Sequence, residues 1–183
     1  MMKNRFIFLT FGLFMTANLA YAEGFVMTSP DIAGQLSHNQ VLSGFGCAGK
    51  NVSPKLSWDN APKGTQSFAV TVYDPDTPMD GGWWHWVIFD IPSQVKSLES
   101  NAGDVKSKIA PKGSSQSMTS FGSKGFGGAC PPKGSKPHQY IFTVHALKVA
   151  KLDLDTDATP GLVGFYIHQN VLAKASLVAY YSR

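Results

Sequence analysis

Two carboxylates and an imidazole occur close together in this sequence, beside a cluster of indoles. Asp74 and Asp76 lie in the segment 74–78 (DPDTP), and His85 lies in the segment 83–86 (WWHW). Carboxylates and imidazoles can transfer protons, bind cations or orient anions, and aromatic walls exclude water around them. A buried unpaired carboxylate is costly unless a partner or ligand compensates it. This grouping therefore indicates a functional site.

Two apolar runs must position these side chains. Residues 67–73 lead into Asp74 and residues 84–91 carry His85, whereas the prolines and glycines between them can continue neither a strand nor a helix. The pattern predicts two strands joined by a loop, with Asp74, Asp76 and His85 at the loop-side ends.

The rest of the chain is also predicted to be mainly β. Further strands are expected at 25–27, 56–58, 139–147 and 176–181. One helix is expected near the end of the chain: Thr159 can cap it, Pro160 suits its first position, and apolar residues recur every four positions at 163, 167, 171 and 175. Residues 100–128 are rich in Ser, Lys and Gly and predict a long surface loop.

The N-terminus is typical of a cleaved secretory signal. Lys3 and Arg5 precede the apolar stretch 6–15, and residues 20–22 (AYA) place small residues at the positions that a signal peptidase reads. We expect a signal peptide at 1–22 and a single domain at 23–183; the alternative is a buried N-terminal strand. The apolar stretch is shorter than the roughly 20 residues of a membrane-spanning helix. We therefore expect a periplasmic protein, or one released from the cell, with no stable membrane anchor.

Charge bears on the class of binding partner, and cysteine content bears on disulfide formation. The whole chain carries a net charge of +4, which falls to +2 once Lys3 and Arg5 are removed, and the lysines are scattered. We therefore expect no nucleic-acid partner. An even number of cysteines in an oxidising compartment favours pairing, so we predict a disulfide between Cys47 and Cys130; two independent buried thiols are the alternative.

Three known catalytic or cofactor-binding motifs are either incomplete in this sequence or lack the structural context they require. Residues 44–49 (GFGCAG) spell a dinucleotide-binding fingerprint, but no predicted strand precedes them and Pro54 opposes a following helix. The glycine-rich segment 122–134 lacks the Gly-Lys-Ser/Thr ending of a phosphate-binding P-loop, and no Gly-x-Ser-x-Gly elbow supplies a serine nucleophile. We expect no cofactor.

Four separated motifs together resemble the phosphatidylethanolamine-binding protein (PEBP) family, which includes the Raf kinase inhibitor proteins. They are the Asp-Pro-Asp-x-Pro motif with His85-Trp86, residues 127–132 (GGACPP), residues 138–140 (HQY) and residues 51–58 (NVSPKLSW). The last motif and residues 172–177 resemble the bacterial branch, here with an export signal. The resemblance implies an antiparallel β-sandwich with one or two peripheral helices, including a C-terminal helix, and a homodimer.

The resemblance also implies a pocket that binds small anionic or phosphorylated ligands. Carried over by position, the pocket residues are Asp74, Asp76, His85, Gly128, Pro131, His138 and Tyr140. Two departures from the family pattern are Gln139, where an Arg often occurs, and Gln169-Asn170, where Gly-His is expected.

Two aspartates in such a pocket would repel an anion unless other groups separated them from it. We expect protonated imidazoles and backbone N–H groups of the glycine-rich loop to face the anion, with Asp74 and Asp76 behind them. In the structural alternative, the aspartates cap a turn and the histidines belong to the core. A metal site built from two His and two Asp is a third option, but the spacing is unusual and the resemblance favours anions, so we expect no metal.

Three functions are compatible with these sequence features. We expect a non-enzymatic, exported protein that binds a small anionic or phosphorylated ligand and modulates another protein. One alternative is a phosphoester hydrolase in which Asp74 or Asp76, with His85, activates water. The other is a protein-interaction module that acts through residues 100–128 or a dimer face, with a vestigial pocket.

Overall fold

The computed structural model describes residues 24–183, so the predicted signal peptide at 1–22 lies outside the described residues. The strands are β1 (Val26–Thr28), β2 (Ser43–Gly44), β3 (Cys47–Ala48), β4 (Leu56–Asp59), β5 (Ser67–Asp74), β6 (Trp83–Pro92), β7 (Ser97–Leu98), β8 (Ser115–Gln116), β9 (His138–Leu147) and β10 (Val171–Tyr181). A 3-10 turn at His38–Gln40 and the helix α1 (Pro160–Asn170) complete the described elements.

Two antiparallel sheets face each other across the main core. The larger has the order β10-β9-β5-β6-β8, and the smaller has the order β1-β4-β7. Alternate residues of β5 and β6, such as Phe68, Val70 and Trp86, pack with Leu56 and Trp58 of β4. Burial of these side chains is the main favourable term in folding. The prediction of a mainly β, antiparallel sandwich is confirmed.

Helix α1 covers the opposite face of the larger sheet. Val163 and Ile167 of the helix pack in one buried cluster with Val87 and Phe89 of β6. As predicted, Pro160 begins the helix and the Thr159 side chain accepts a hydrogen bond from the Leu162 N–H.

The predicted extension of this helix is wrong. The helix ends at Asn170, and β10 begins at Val171 and pairs with β9 along its length. A spacing of four residues is close to one helical turn of 3.6 residues, but it is also twice the two-residue period of a strand, so it places Val171 and Ala175 on one face of either element. Pairing with β9 decides between them.

The prediction of a surface loop at 100–128 is only partly correct. Much of this segment is irregular, but it continues along the edge of β6 beyond β8: the Ser117 N–H donates to the Val87 carbonyl and the Ser120 N–H to the Trp84 carbonyl. Ser117 and Thr119 are buried. The segment therefore acts as an irregular outer strand, and it delivers residues 126–130 to the end of the sheet where β5 and β9 meet.

The cysteines form the predicted disulfide. Cys47 on β3 is bonded to Cys130, 83 positions later, so the bridge joins the β2–β3 hairpin to the segment that leads into β9. The alternative of two independent thiols is thereby excluded. Among residues 24–183, no helix has both the length and the apolar character needed to cross a membrane.

Loss of the disulfide should strongly destabilise the protein. A cross-link that closes a loop of 83 residues stabilises by about 4 kcal/mol in the chain-entropy model, because it restricts the unfolded chain. We therefore expect a Cys47→Ser/Cys130→Ser variant to lose about that free energy of unfolding in urea titrations at pH 7. Wild-type protein under excess dithiol is the matched control and should reproduce the variant. A loss below about 1 kcal/mol would contradict the prediction.

Candidate functional site

A cavity of about 220 Å³ lies at the end of the larger sheet where β5 and β6 are joined by a loop. Its walls come from that loop, from the starts of β6 and β9, from the β2–β3 hairpin and from the glycine-rich segment before β9. The lining residues are Leu42, Phe45, Asp74, Thr77, Pro78, Met79, Trp83, His85, Phe121, Cys130, Pro131, Pro132, His138 and Tyr140.

The structure brings five of the seven predicted site residues to this cavity: Asp74, His85, Pro131, His138 and Tyr140. Asp76 and Gly128 do not line it. Antiparallel pairing explains the convergence, because β5 ends where β6 and β9 begin, so residues more than 60 positions apart meet at one edge.

Asp74 is the buried anchor of the site. It is the last residue of β5 and only 2% exposed. Its Oδ2 atom lies 2.8 Å from Nδ1 of His138, and its Oδ1 atom accepts a hydrogen bond of 2.8 Å from the Asp76 N–H. One carboxylate therefore orients an imidazole and closes the turn after β5. Both oxygens are engaged by the protein, so Asp74 supports the cavity without offering it a free acceptor pair.

His85 lies within β6 and is held by a backbone carbonyl. Its Nδ1 atom is 2.7 Å from the Gly127 oxygen, so Nδ1 carries the hydrogen and Nε2 is the remaining ring nitrogen. Burial lowers the pKa of His85 to about 4, although the Gly127 carbonyl and the charge of Asp74 partly oppose this. This imidazole is therefore neutral at pH 7, contrary to the expectation that an aspartate keeps it protonated.

This low pKa also links His85 to stability. The folded value of about 4 lies below the ordinary value of 6.5, so the native state prefers the neutral ring. The resulting contribution to stability is present above pH 6.5 and is lost as the pH falls from about 6.5 to 4, where the unfolded chain binds a proton that the native state does not.

The glycine-rich loop is committed to the protein. The Gly127 N–H donates to the His85 carbonyl, and the Gly128 N–H donates to Oδ1 of Asn51 at 2.7 Å. The expectation that these amides face an anion is therefore wrong. Gly128 is required for a different reason: a Cβ atom there would lie 2.3 Å from the Gln40 carbonyl oxygen. Its role is to let two backbone segments approach closely.

Asp76 is a positioning residue outside the cavity. Its Oδ2 atom accepts a hydrogen bond of 2.9 Å from the Gln139 N–H, and its Oδ1 atom pairs with Lys136 at 3.1 Å. The Gln139 amide, and then Lys136, lower the pKa of this carboxyl, so it is ionised at neutral pH. Asp76 thus fastens the loop after β5 to the residue that follows His138.

Two buried hydroxyls, Tyr140 Oη and Thr77 Oγ1, lie in the cavity wall. Thr77 Oγ1 has no hydrogen bond within the described residues, and Tyr140 Oη lies beside the Asp74 carboxylate without forming a well-aligned hydrogen bond to it. Burial, followed by the nearby charge of Asp74, raises the pKa of Tyr140, which therefore keeps its proton as a donor. Thr77 was missed by the sequence reasoning, although it lies in the same Asp-Pro-Asp-x-Pro segment as the predicted residues.

The aromatic wall is built around Phe121. Its ring centroid lies 5.3 Å from those of both Trp83 and His85, and 6.0 Å from that of Phe45. Among Tyr140 and the indoles of segment 83–86, Trp83 and Tyr140 line the cavity. Trp84 instead packs on Tyr73, and Trp86 is fully buried in the core. Phe45 and Phe121 were missed; both occur in Gly-Phe-Gly or Phe-Gly segments that sequence alone does not place.

The donors present do not form a metal centre. Within residues 24–183, no three His, Cys, Asp or Glu side chains are grouped as ligands of one ion. The two histidines also use Nδ1 for hydrogen bonds to the protein, which leaves only their Nε2 atoms for the cavity.

Comparisons with known proteins agree on one family. The family model described as phosphatidylethanolamine-binding protein matches residues 33–182. UPF0098 protein YbcL of Escherichia coli K12 is 48% identical over 164 residues, which cover 88% of this chain and 90% of that protein. UPF0098 protein YbhB of the same strain is 46% identical over 148 residues, covering 81% and 92%.

A solved structure is similar throughout the fold. The crystal structure of E. coli YbcL, described as a new member of the mammalian PEBP family, superposes with a TM-score of 0.85 and 47% identity, covering 87% of this chain and 98% of that one.

Neutralising Asp74 should destabilise the protein much more than neutralising a surface carboxylate. The Asn side chain has one acceptor oxygen where Asp has two. In Asp74→Asn it therefore cannot accept hydrogen bonds from both His138 Nδ1 and the Asp76 N–H, and one of these groups loses its acceptor. We expect a loss of about 1–3 kcal/mol in the free energy of unfolding, measured in urea. Asp59→Asn, at an exposed ion pair with Lys96, is the control and should destabilise the protein far less, because solvent screens an exposed pair. Equal losses in the two variants would contradict the anchoring role of Asp74.

Proposed function

This chain belongs to the phosphatidylethanolamine-binding protein family, and from that premise we propose that its cavity binds a small anionic group, phosphate or a phosphorylated compound, without chemical turnover. The observation that carries the proposal is the convergence of polar groups whose hydrogen-bonding capacity the protein leaves partly unused. Two hydroxyls, Tyr140 Oη and Thr77 Oγ1, are buried in the wall, and two imidazoles keep only Nε2 for the cavity.

Buried hydroxyls in the wall favour a ligand with acceptor oxygens. A buried donor without a hydrogen bond, such as Thr77 Oγ1, costs about 1–3 kcal/mol. A phosphate oxygen that accepts from Thr77 would remove this cost, and it could also accept a well-aligned hydrogen bond from Tyr140, whose hydroxyl otherwise lies beside Asp74. Pairing of Asp74 with His138 and with the Asp76 N–H keeps its carboxylate oxygens occupied, which reduces the repulsion that a free carboxylate would exert on an anion.

The state of His85 determines how an anion would be held. At neutral pH Nε2 is an acceptor, because the pKa of about 4 keeps the ring neutral. A protonated oxygen of the ligand can donate to Nε2; an anion without a proton requires the ring to take one up. Stabilisation of the imidazolium by the bound anion raises the pKa of His85 in the complex. Binding of a fully ionised anion is therefore linked to proton uptake, and its affinity rises as the pH falls.

A specific observation favours hydrolysis as a second candidate function. The buried Asp74–His138 pair has the geometry of an orienting carboxylate and a base, with 2.8 Å between Oδ2 and Nδ1. Release of nitrophenol from nitrophenyl phosphate, lost in His138→Ala, would support this function. Absence of turnover under conditions of saturable binding would support the binding protein.

We also propose that the protein is exported. The disulfide between Cys47 and Cys130 supports an oxidising compartment, and the signal-like N-terminus is consistent with it. Fractionation of cells that express the full chain tests this proposal: processed protein in the periplasmic fraction supports it, whereas unprocessed protein in the cytoplasm contradicts it.

Sulfate binding should strengthen as the pH falls, and His85 should be responsible. Sulfate stays fully ionised between pH 5 and 8, so any pH dependence belongs to the protein. We expect saturable amide NMR shifts near the cavity of the 23–183 chain, with an affinity that rises up to about tenfold per pH unit while the bound His85 is protonated and the free one is not.

Two variants make this test specific. His85→Ala should remove the pH dependence. His145→Ala is the matched control, because burial also lowers the pKa of His145 to about 4, while its partner is Thr71 and it does not line the cavity. No saturable shifts at millimolar sulfate and phosphate, or a pH dependence that persists in His85→Ala, would contradict the proposed site.

A further inference from the structure

We propose that Phe45 is a specificity residue of this cavity, carried on an anchored arm, and that it selects organic anions with an apolar group beside the charge over bare inorganic anions. The arm is defined here as residues 43–48, which comprise β2, β3 and the turn between them. The inference rests on the proposed function, since it names the class of ligand that the same cavity prefers.

Phe45 occupies an unfavourable position for a large apolar residue. It lines the cavity, yet it is 78% exposed, the highest value among the large exposed hydrophobic residues described. Its backbone has a φ of +50°, which is uncommon for a residue with a Cβ atom. The two-residue turn between β2 and β3 imposes this left-handed conformation and places the exposed ring at the cavity entrance, where a ligand can contact it.

The arm is tied twice to the cavity wall. The disulfide joins Cys47 of the arm to Cys130, which itself lines the cavity. The Arg183 guanidinium bridges the same two segments, because Nη1 donates to the Gly46 carbonyl at 2.8 Å and Nε donates to the Pro131 carbonyl at 2.6 Å. Phe45 is therefore held in place relative to the wall, so little ordering entropy is lost when a ligand contacts it.

Polar and apolar groups are separated within the cavity. The histidines, Tyr140 and Asp74 are buried at the closed end, whereas Phe45 and Met79 are exposed. Phe121 connects the two regions, with its ring 5.3 Å from His85 and 6.0 Å from Phe45. An anionic group bound at His85 would direct its substituent along Phe121 toward Phe45.

This arrangement distinguishes two kinds of anion. Inorganic phosphate satisfies the polar groups but leaves the ring of Phe45 in water. An anion with an aromatic or aliphatic group adjacent to the charge also removes apolar surface of Phe45, Phe121 and Met79 from water, which is favourable. The cavity should therefore favour the organic anion.

The experiment measures the ratio of affinities for phenyl phosphate and inorganic phosphate by NMR titration of the 23–183 chain. We expect a ratio of about ten in the wild type and a roughly fivefold lower ratio in Phe45→Ala, the size of one aromatic contact. Phe165→Ala is the matched control: Phe165 is also an exposed aromatic residue, at 58%, but it lies on α1 and does not line the cavity. Its ratio should equal that of the wild type.

Two further variants test the anchoring of the arm. Cys47→Ser/Cys130→Ser keeps Phe45 but removes the covalent tether. Arg183→Ala keeps the disulfide but removes the hydrogen bonds to Gly46 and Pro131. In either variant, measured where its amide spectrum shows a folded protein, the ratio should fall below that of the wild type. An unchanged ratio in a folded variant would overturn the role of the anchored arm.

The remaining outcomes separate the two proposals. Binding of both ligands with a wild-type ratio near one, or an unchanged ratio in Phe45→Ala, would overturn the role of Phe45 and leave the anion site intact. Failure of both ligands to bind the wild type would overturn the anion site and, with it, this inference.

Discussion

The site depends on the need to satisfy one buried carboxylate. Asp74 is almost completely enclosed, and an ionised group in that position must have partners. It obtains them from His138 and from the Asp76 N–H, and Asp76 in turn holds the Gln139 N–H. Because Gln139 follows His138 directly, these contacts form a closed circuit between the end of β5 and the start of β9. The circuit fixes the orientation of His138 and the course of the loop that carries Thr77.

The same contacts give the Asp-Pro-Asp motif a structural role. Neither aspartate is arranged as a direct ligand for an anion: Asp74 supports an imidazole, and Asp76 holds backbone outside the cavity. The glycine-rich segment is comparable, since its N–H groups bind His85 and Asn51. The groups left for a ligand are two Nε2 atoms and two hydroxyls. Motif residues here mainly build the cavity, and the chemistry offered to a ligand comes from what they position.

The disulfide and Arg183 extend this construction to the entrance. They connect the arm at 43–48 to the wall at Cys130 and Pro131, across 83 positions of sequence in the case of the disulfide. The entrance is built from a hairpin whose two strands, β2 and β3, are only two residues long each, so the hairpin has few stabilising contacts of its own. Cross-linking to the wall gives it a defined position, so the polar closed end and the apolar entrance form one cavity.

The sequence by itself determined the longer strands, the helix start at Thr159–Pro160 and the positions of Asp74 and His85 near strand ends, because apolar runs and capping chemistry are local signals. The even number of cysteines predicted the disulfide, and the family resemblance added His138 to the site. The tertiary structure alone decided where α1 gives way to β10, since pairing with β9 resolved a spacing compatible with both. It also decided that His85 is neutral, that the glycine amides are occupied, and that Phe45, Thr77 and Phe121 belong to the cavity. Burial and hydrogen-bond partnership depend on distant segments meeting in space, and no local pattern encodes which groups remain free once they have met.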